Sequence, residues 1–391
     1  MKGKSKRFFA VIILAIFIFS VGFLYGKSRA NDDLEKKLEV FLQVLSVIKT
    51  QYVEKDVDNT KLVYGAIRGM LTSLDDPYSR FLEPTAYSEM RMRMKGSYSG
   101  IGIYIGMKEH QLIVISPIAG TPAEEKGLKP KDLIVKIDDK PTKDMALEEA
   151  VSLIRGKKGT RVKLSVMRKG FDEPKDFVIK RSEILIKSVE FKMMQDDIAY
   201  IKLNTFEKQG APAEFKKAIN SVKKDNAKGL ILDLRGNGGG LLENAIEIGS
   251  MFIRSGAIVQ TVDRNGMNEI QYSTGDVIWV NPIVVLIDES SASASEILAG
   301  ALQDNKIATI VGTNSFGKAS VQSVRMLQDN SAILLTIAKY LTPSGKDITK
   351  KGIIPDVEIK LPTEEAKLKL LEETGSDLQL DKAVKVLKGL I

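Results

Sequence analysis

The sequence predicts an α/β protein made of a helical arm, a compact strand-rich module and a larger α/β core, behind an N-terminal membrane helix. Three observations predict it. Residues 33–72 carry apolar side chains at helical spacing, the period changes to that of strands from Gly96, and after Ser182 strand-like and helix-like segments alternate. Alternation of the last kind argues for helices packed on a sheet. A length of 391 residues leaves room for several domains and a sizeable core.

The membrane helix comes from Phe8 to Leu24, where Ser20 and Gly22 are the only non-hydrophobic residues. As a helix this run is about 25 Å long, close to a hydrocarbon span. Lys2, Lys4, Lys6 and Arg7 precede it and favour an N-terminus kept in the cytoplasm. Ser28-Arg29-Ala30 resembles a cleavage site, so the segment reads either as a removed signal peptide or as a retained anchor. The anchor is favoured, because the apolar run exceeds a typical signal core and Lys27 and Arg29 separate it from the site. Both readings export the body, which predicts a cell-envelope location on the extracytoplasmic side.

The arm follows from Leu34, Leu38, Phe41, Leu42, Leu45 and Ile48, and from a second helical stretch at Leu62–Leu71, broken at Asp75-Asp76-Pro77. In the module, Gly100-Ile101-Gly102-Ile103-Tyr104-Ile105 alternates as a strand, and Leu112–Ile115, Leu133–Ile137 and Val162–Val166 supply more. Leu147, Ala150, Val151 and Ile154 place one apolar helical face among them. In the core, strands are predicted at Ile198–Leu203, Gly229–Leu234, Ile283–Ile287, Thr309–Val311 and Ile333–Ile337, and helices at Leu241–Phe252 and Ala294–Gln303. Asn265-Gly266 predicts a hairpin turn. Thr363–Thr374 and Leu378–Leu387 predict closing helices.

Composition excludes much chemistry. There is no cysteine and a single histidine, His110. A thiol nucleophile, a disulfide framework, a thiolate metal site and a two-histidine zinc site are therefore excluded. His110 stands between two short predicted strands and reads as an exposed turn residue. The net charge of +8 is concentrated at the N-terminus: residues 1–30 hold +6 and no acid, which leaves +2 for the body. That balance offers no electrostatic case for nucleic acid.

Four segments could carry chemistry. Asp233-Leu234-Arg235-Gly236-Asn237-Gly238-Gly239-Gly240 joins a strand to a helix, and its amides could hold a phosphate or an oxyanion. It lacks the third glycine of a dinucleotide fingerprint, where Leu241 stands. Gly312-Thr313-Asn314-Ser315-Phe316-Gly317-Lys318-Ala319 approaches a phosphate loop but has Ala319 in place of the magnesium-binding hydroxyl. Ser293 with Glu296 fits a capping box; alternatively its hydroxyl is a nucleophile with the Ala294 N–H as an oxyanion donor. A nucleophilic serine needs a base, and with His110 in a turn the remaining common choice is a lysine. Lys318 qualifies, because no acid lies between Asn305 and Gln328. If the segment makes a helical turn, the Gln322 amide could orient the Lys318 amine. No metal or other cofactor is expected.

Read together, these pieces resemble the C-terminal processing (tail-specific) serine protease family. The resemblance runs from about Tyr52 to the end. It rests on Leu74-Asp75-Asp76-Pro77-Tyr78-Ser79, Ser116–Ala123 with Gly127-Leu128-Lys129-Pro130, Leu232–Gly240, Ser291–Leu302, Phe316-Gly317-Lys318 and Tyr340–Gly345, in the family's order. It implies a crotonase-like protease core with an inserted PDZ module. The implied organisation is a signal segment at 1–30, arm at 31–95, PDZ module at 96–172, protease core at 173–362 and C-terminal helices at 363–391. It further implies Ser293 as nucleophile, Lys318 as general base, Gln322 as the residue that positions the lysine, and Gly239 and Ala294 as oxyanion-hole donors. Gly100, Ile101, Gly102 and Ile103 would grip a substrate C-terminus, the peptide adding as a strand beside Ala146–Arg155. Arg155 matches a position that couples docking to activation. Lys131 and Gly238 depart from the family's usual glycine and proline or serine. The expected partners are protein substrates with exposed C-terminal tails, the membrane through the N-terminal helix and a second copy in a homodimer. The rival reading is a catalytically silent PDZ scaffold at the membrane.

Overall fold

The computed structural model describes residues 33–108, 111–360 and 377–391. The predicted membrane helix Phe8–Leu24, His110 and the helix expected at Thr363–Thr374 lie outside them. Among the described residues no helix is long and apolar enough to cross a membrane. The chain divides into two units, Met1–Gly69 and Met70–Ile391. The first holds a helix over 33–51 and most of a second, Asn59–Thr72, in which no residue is buried. Leu34, Leu38 and Leu42 on the first helix are more than half exposed.

In the second unit a six-stranded sheet runs in the order Val189–Met193, Ile198–Leu203, Gly229–Asp233, Ile283–Ile287, Ala308–Gly312, Val357–Glu358. The first pair is antiparallel and every other pair parallel. Gly229–Asp233 and Ile283–Ile287 are buried at every position, as central parallel strands covered on both faces must be. The pleat sorts their side chains. Leu230 and Leu232 face helices Ala211–Lys224, Leu242–Ser250 and Ala294–Asp304, through Phe215, Ile219, Ile248 and Leu298. Ile231, Val284, Leu286 and Val311 point the other way and meet Ala383 and Leu387 of the closing helix Leu378–Lys388.

Helix Ala211–Lys224 is absent from the sequence expectations, although Phe215, Ala218, Ile219 and Val222 form its buried stripe. Its many lysines mask that stripe. A second sheet joins Arg80–Leu82, Ala332–Leu341, Ala257–Asp263 and Asn268–Tyr272, with Ser320–Met326 also paired to Ala332–Leu341. The hairpin expected at Asn265-Gly266 connects two of these strands, with Gly266 at φ 77°.

The strand-rich module is a sheet ordered Ile103–Lys108, Gln111–Pro117, Leu133–Ile137, Arg161–Met167, Lys175–Lys180, with Lys140–Pro141 on Leu133–Ile137. Helix Leu147–Ile154 closes its core through Ala150 and Ile154. This sheet continues past residue 172, because Lys175–Lys180 pairs with Arg161–Met167. A two-stranded ribbon, Ser97–Gly100 with Ser182–Leu185, joins the module's entry to its exit. Lys131, standing where glycine is usual, has φ 70°, the left-handed region that glycine occupies without steric cost.

Candidate active site

Neighbouring parallel strands deliver their loops to one edge of a sheet, the usual place for a ligand crevice. Here the strands ending at Asp233, Ile287 and Gly312 are adjacent and parallel, so the three loops that follow them converge. They are Leu234–Gly240, Asp288–Ser293 and Thr313–Ala319. Backbone ties stitch them together. The Asn237 carbonyl accepts from the Ala292 N–H at 3.0 Å and the Ser295 hydroxyl at 2.8 Å, and the Ser291 carbonyl accepts from the Phe316 N–H at 3.0 Å.

Ser293 immediately precedes the helix Ala294–Asp304 and is half-buried. Its backbone, φ 56° and ψ −114°, is a conformation costing about 1–3 kcal/mol for a side chain with a Cβ. The surroundings hold it there: its N–H donates to Glu296 Oε2 at 2.8 Å, and its carbonyl accepts from Ile297 N–H at 2.9 Å and the Tyr340 hydroxyl at 3.3 Å. Gly239 packs against this turn with φ 95°. A Cβ there would lie 2.6 Å from the Ala292 carbonyl oxygen and 2.8 Å from both the Ala294 nitrogen and Ser293 Cβ. Only glycine allows the approach. The Gly239 N–H donates to Asn237 Oδ1 at 2.9 Å, while Asn237 Nδ2 donates to the Leu203 carbonyl at 2.7 Å.

Glu296 joins the serine loop to the lysine loop. Its side chain is buried, with Oε1 accepting from the Ser315 hydroxyl at 2.7 Å and Gly317 N–H at 2.6 Å. Oε2 accepts from Ser293 N–H at 2.8 Å, Lys318 N–H at 3.1 Å and the Tyr340 hydroxyl at 2.9 Å. The amides that a phosphate loop would offer to a nucleotide are thus turned onto an internal carboxylate. The capping-box match singles out Glu296 as a cap; its reach to Ser315, Gly317, Lys318 and Tyr340 is invisible without the tertiary structure. Burial with the Glu296 charge pushes the Tyr340 phenol well above its ordinary value.

Lys318 Nζ donates to Gln322 Oε1 at 2.9 Å, and Gln322 Nε2 donates to the Tyr78 carbonyl. The helical turn expected between them does not form; Gln322 lies in the strand Ser320–Met326. The pairing forms across an irregular stretch instead: Lys318 lies in the loop before the strand, Ala319 has positive φ, and the register shifts between Val321 and Gln322. The register irregularity beside Gln322 leaves Ile337 of the partner strand without a counterpart. Ala319, directly after the lysine, is buried at φ 46°. Burial lowers the Lys318 amine below its ordinary range and Arg80 lowers it further; Glu296 and Asp76 oppose them without restoring it.

Arg235, one residue beyond the Asp233–Leu234 exit, ties the glycine loop to the chain end. It donates to Asp377 at 2.9 and 2.8 Å, to Gln379 at 3.1 Å and to Asp233 at 2.6 Å, while the Tyr200 hydroxyl donates to Asp233 at 2.7 Å. Burial pushes the Asp377 carboxyl up, but the Arg235 hydrogen bonds and charge outweigh it and hold it below the ordinary aspartate value of 3.8. The stabilisation is complete above the unfolded value and fades as pH falls through the depressed one. Asp377→Asn is therefore expected to cost about 1–2 kcal/mol in urea unfolding at pH 7. The difference from wild type should narrow as pH falls below the ordinary aspartate value of 3.8.

The remaining predicted residues gather in the strand-rich module. Gly100 ends the strand Ser97–Gly100, Ile101 is buried, and Gly102 has φ 80°. The Ile101 and Gly102 carbonyls are turned inward, accepting from Ala123 N–H and Ile118 N–H at 2.9 Å each. Ile103 opens the edge strand Ile103–Lys108, which among the described residues is paired on one side only, as strand addition requires. The Arg155 guanidinium lies 5.1 Å from the centre of the Tyr98 ring, on the strand leading to Gly100.

Similarity to known proteins agrees with this layout. Residues 197–359 match peptidase family S41, residues 89–167 match the PDZ domain, and residues 23–86 match the family described as activating protease CtpB N-terminal domain. The chain is 38% identical over 406 residues to the carboxy-terminal processing protease CtpA of Bacillus subtilis, covering 100% of this chain and 86% of that protein. It is 42% identical over 335 residues to the carboxy-terminal-processing protease of Bartonella bacilliformis, covering 84% and 76%. The solved photosystem II D1 C-terminal processing protease aligns at a TM-score of 0.54 and 31% identity, over 86% of this chain and 97% of that one. Likeness that runs the full length of the chain makes it a member of the carboxy-terminal processing proteases, the serine-type peptidases of family S41.

Proposed function

We propose that the chain is a membrane-anchored endopeptidase that captures exposed C-terminal tails of envelope proteins on its PDZ domain and cuts them with a Ser293–Lys318 dyad. The observation that carries the reading is the shared Glu296 Oε2, which accepts from the backbone N–H of both Ser293 and Lys318. Two loops bound to one oxygen are held in fixed relation. The lysine amine is partnered by the neutral Gln322 carboxamide, and burial lets it lose its proton below the ordinary lysine range.

In this reading neutral Lys318 removes the Ser293 proton as Oγ attacks the scissile carbonyl. Lys318 then returns the proton to the leaving amine, and water releases the acyl group with the lysine again as base. The Gly239 and Ala294 amides take the oxyanion. The Gly239 N–H must then leave Asn237 Oδ1 for the substrate oxygen, an exchange favoured because an oxyanion is the stronger acceptor. Gly100 to Ile103 take the tail carboxylate, and Arg155 beside them senses it. The apolar run Phe8–Leu24, behind its basic cluster, anchors the body on the extracytoplasmic side. The exposed Leu34, Leu38 and Leu42 supply a homodimer surface.

The test uses the full chain in detergent with a quenched peptide bearing either a free or an amidated C-terminus. Amidation is expected to lower kcat/KM by about 10- to 100-fold, the cost of losing one charge-assisted contact. Turnover should rise with pH as Lys318 deprotonates, with its midpoint below the ordinary lysine value of 10.5, and should withstand chelators. A silent scaffold would bind the free-acid peptide and cut neither.

A further inference from the structure

The segment Asp75-Asp76-Pro77-Tyr78-Ser79 has no part in the chemistry above, yet it ends against the lysine. The Tyr78 carbonyl accepts from Gln322 Nε2, and the centre of the Tyr78 ring lies 5.1 Å from Lys318 Nζ. One residue thus meets both the amine and the side chain that orients it. The segment is also fixed in place. Tyr78 N–H donates to Asp76 Oδ1 at 3.0 Å, the Ser79 hydroxyl donates to Asp76 Oδ2 at 2.6 Å, and Thr336 N–H donates to the Ser79 oxygen at 3.0 Å. Arg80–Leu82 then pairs with Ala332–Leu341, the strand on which Ser320–Met326 also lies. Tyr78 and Gln322 are therefore hung from the same strand.

We propose that Tyr78 is a positioning residue for Lys318: its carbonyl fixes the Gln322 carboxamide, and its ring face stabilises the ammonium that forms when the lysine takes the serine proton. The inference rests on the Ser293–Lys318 reading. The amine must be neutral to accept a proton and cationic while it holds one. The charged groups facing it are Arg80 and Asp76 from the same segment as Tyr78, and Glu296 from the helix. Arg80 opposes the cation, while the two carboxylates favour it. A ring within about 6 Å of an ammonium attracts it through the negative face of the π-system. Tyr78 thus stabilises the charged stage without a carboxylate in contact with the amine, which would hold the lysine charged throughout the cycle.

The test is the pH dependence of kcat/KM for a tailed peptide. Tyr78→Phe keeps the ring and the backbone carbonyl, and its acidic limb should stay where wild type has it. Tyr78→Leu should move the limb to lower pH by about half to one unit. Its kcat should fall about tenfold with KM unchanged. A trifluorinated phenylalanine at position 78 keeps the shape and weakens the ring's negative face, so it should move the limb in the same direction even if the leucine variant unfolds. A limb that stays in place or moves up in the fluorinated variant, or one displaced equally in Tyr78→Phe, overturns the proposal. Ser293→Ala, run alongside, separates the two levels. Turnover surviving in that variant overturns the dyad and this inference with it, whereas turnover lost there with an unmoved limb in the fluorinated variant overturns Tyr78 alone.

Discussion

Ser293→Ala is expected to lower kcat/KM for a tailed peptide by about 10⁴- to 10⁶-fold, and Lys318→Ala to do nearly the same. The two losses should not add. A serine without its base and a base without its serine interrupt the same proton transfer, so the double variant should be about as slow as either single one. Neither change should unfold the chain. Ser293→Ala removes one oxygen and leaves the φ 56° backbone as strained as before, because any Cβ meets the same contacts. Lys318→Ala relieves a buried amine and leaves the backbone N–H on Glu296 intact. Thermal melting should place both variants near wild type while turnover vanishes. Turnover within tenfold of wild type in either variant would refute the dyad.

The second large effect falls on a residue that makes no contact with the peptide in the proposed mechanism. Glu296→Gln is expected to lower turnover by about 10²- to 10³-fold, the scale on which displacing a catalytic group by about 1 Å acts. The carboxylate accepts from Ser293 N–H, Lys318 N–H, Gly317 N–H, the Ser315 hydroxyl and the Tyr340 hydroxyl. A carboxamide is nearly the same size but offers one accepting oxygen and an NH2 group that itself donates. Whichever way it turns, donors on one side face a donor, and either the serine loop or the lysine loop must shift. Urea unfolding should also report a loss of about 2–4 kcal/mol, since buried donors are left without acceptors. Turnover and stability both within twofold of wild type would show that the loops do not depend on this carboxylate.

Much of the architecture is legible in the order of the residues because it follows from local periodicity. The strands at Leu133–Ile137 and Ile283–Ile287 appear where their β-branched runs place them, and the helix after Ser293 starts where its capping pattern begins. Helix Ala211–Lys224 and strand Ser320–Met326 escape that reading for opposite reasons. The first hides a regular apolar stripe among lysines, and the second is polar and half-exposed, so its strand character comes from pairing with Ala332–Leu341. Gln322 shows the difference in one residue. Its spacing from Lys318 predicts the contact, the predicted helical turn is wrong, and the contact forms from the loop before the strand, across the positive φ of Ala319 and the register shift beside Gln322.

The order of amino acids by itself determined the catalogue of chemistry open to this protein. No cysteine and one histidine exclude thiol chemistry and any site that needs two histidines, and glycine at 239 permits a close approach to the serine turn. Which distant residues share the Glu296 carboxylate was decided only by the tertiary structure. Ser293, Glu296, Ser315, Lys318 and Tyr340 span two loops, a helix and a strand of another sheet, and Tyr78 comes from a segment more than two hundred residues earlier. Local sequence has no means of encoding such distances. They are fixed when adjacent parallel strands deliver their loops to one edge and a buried carboxylate, unable to remain unpaired, gathers the donors around it.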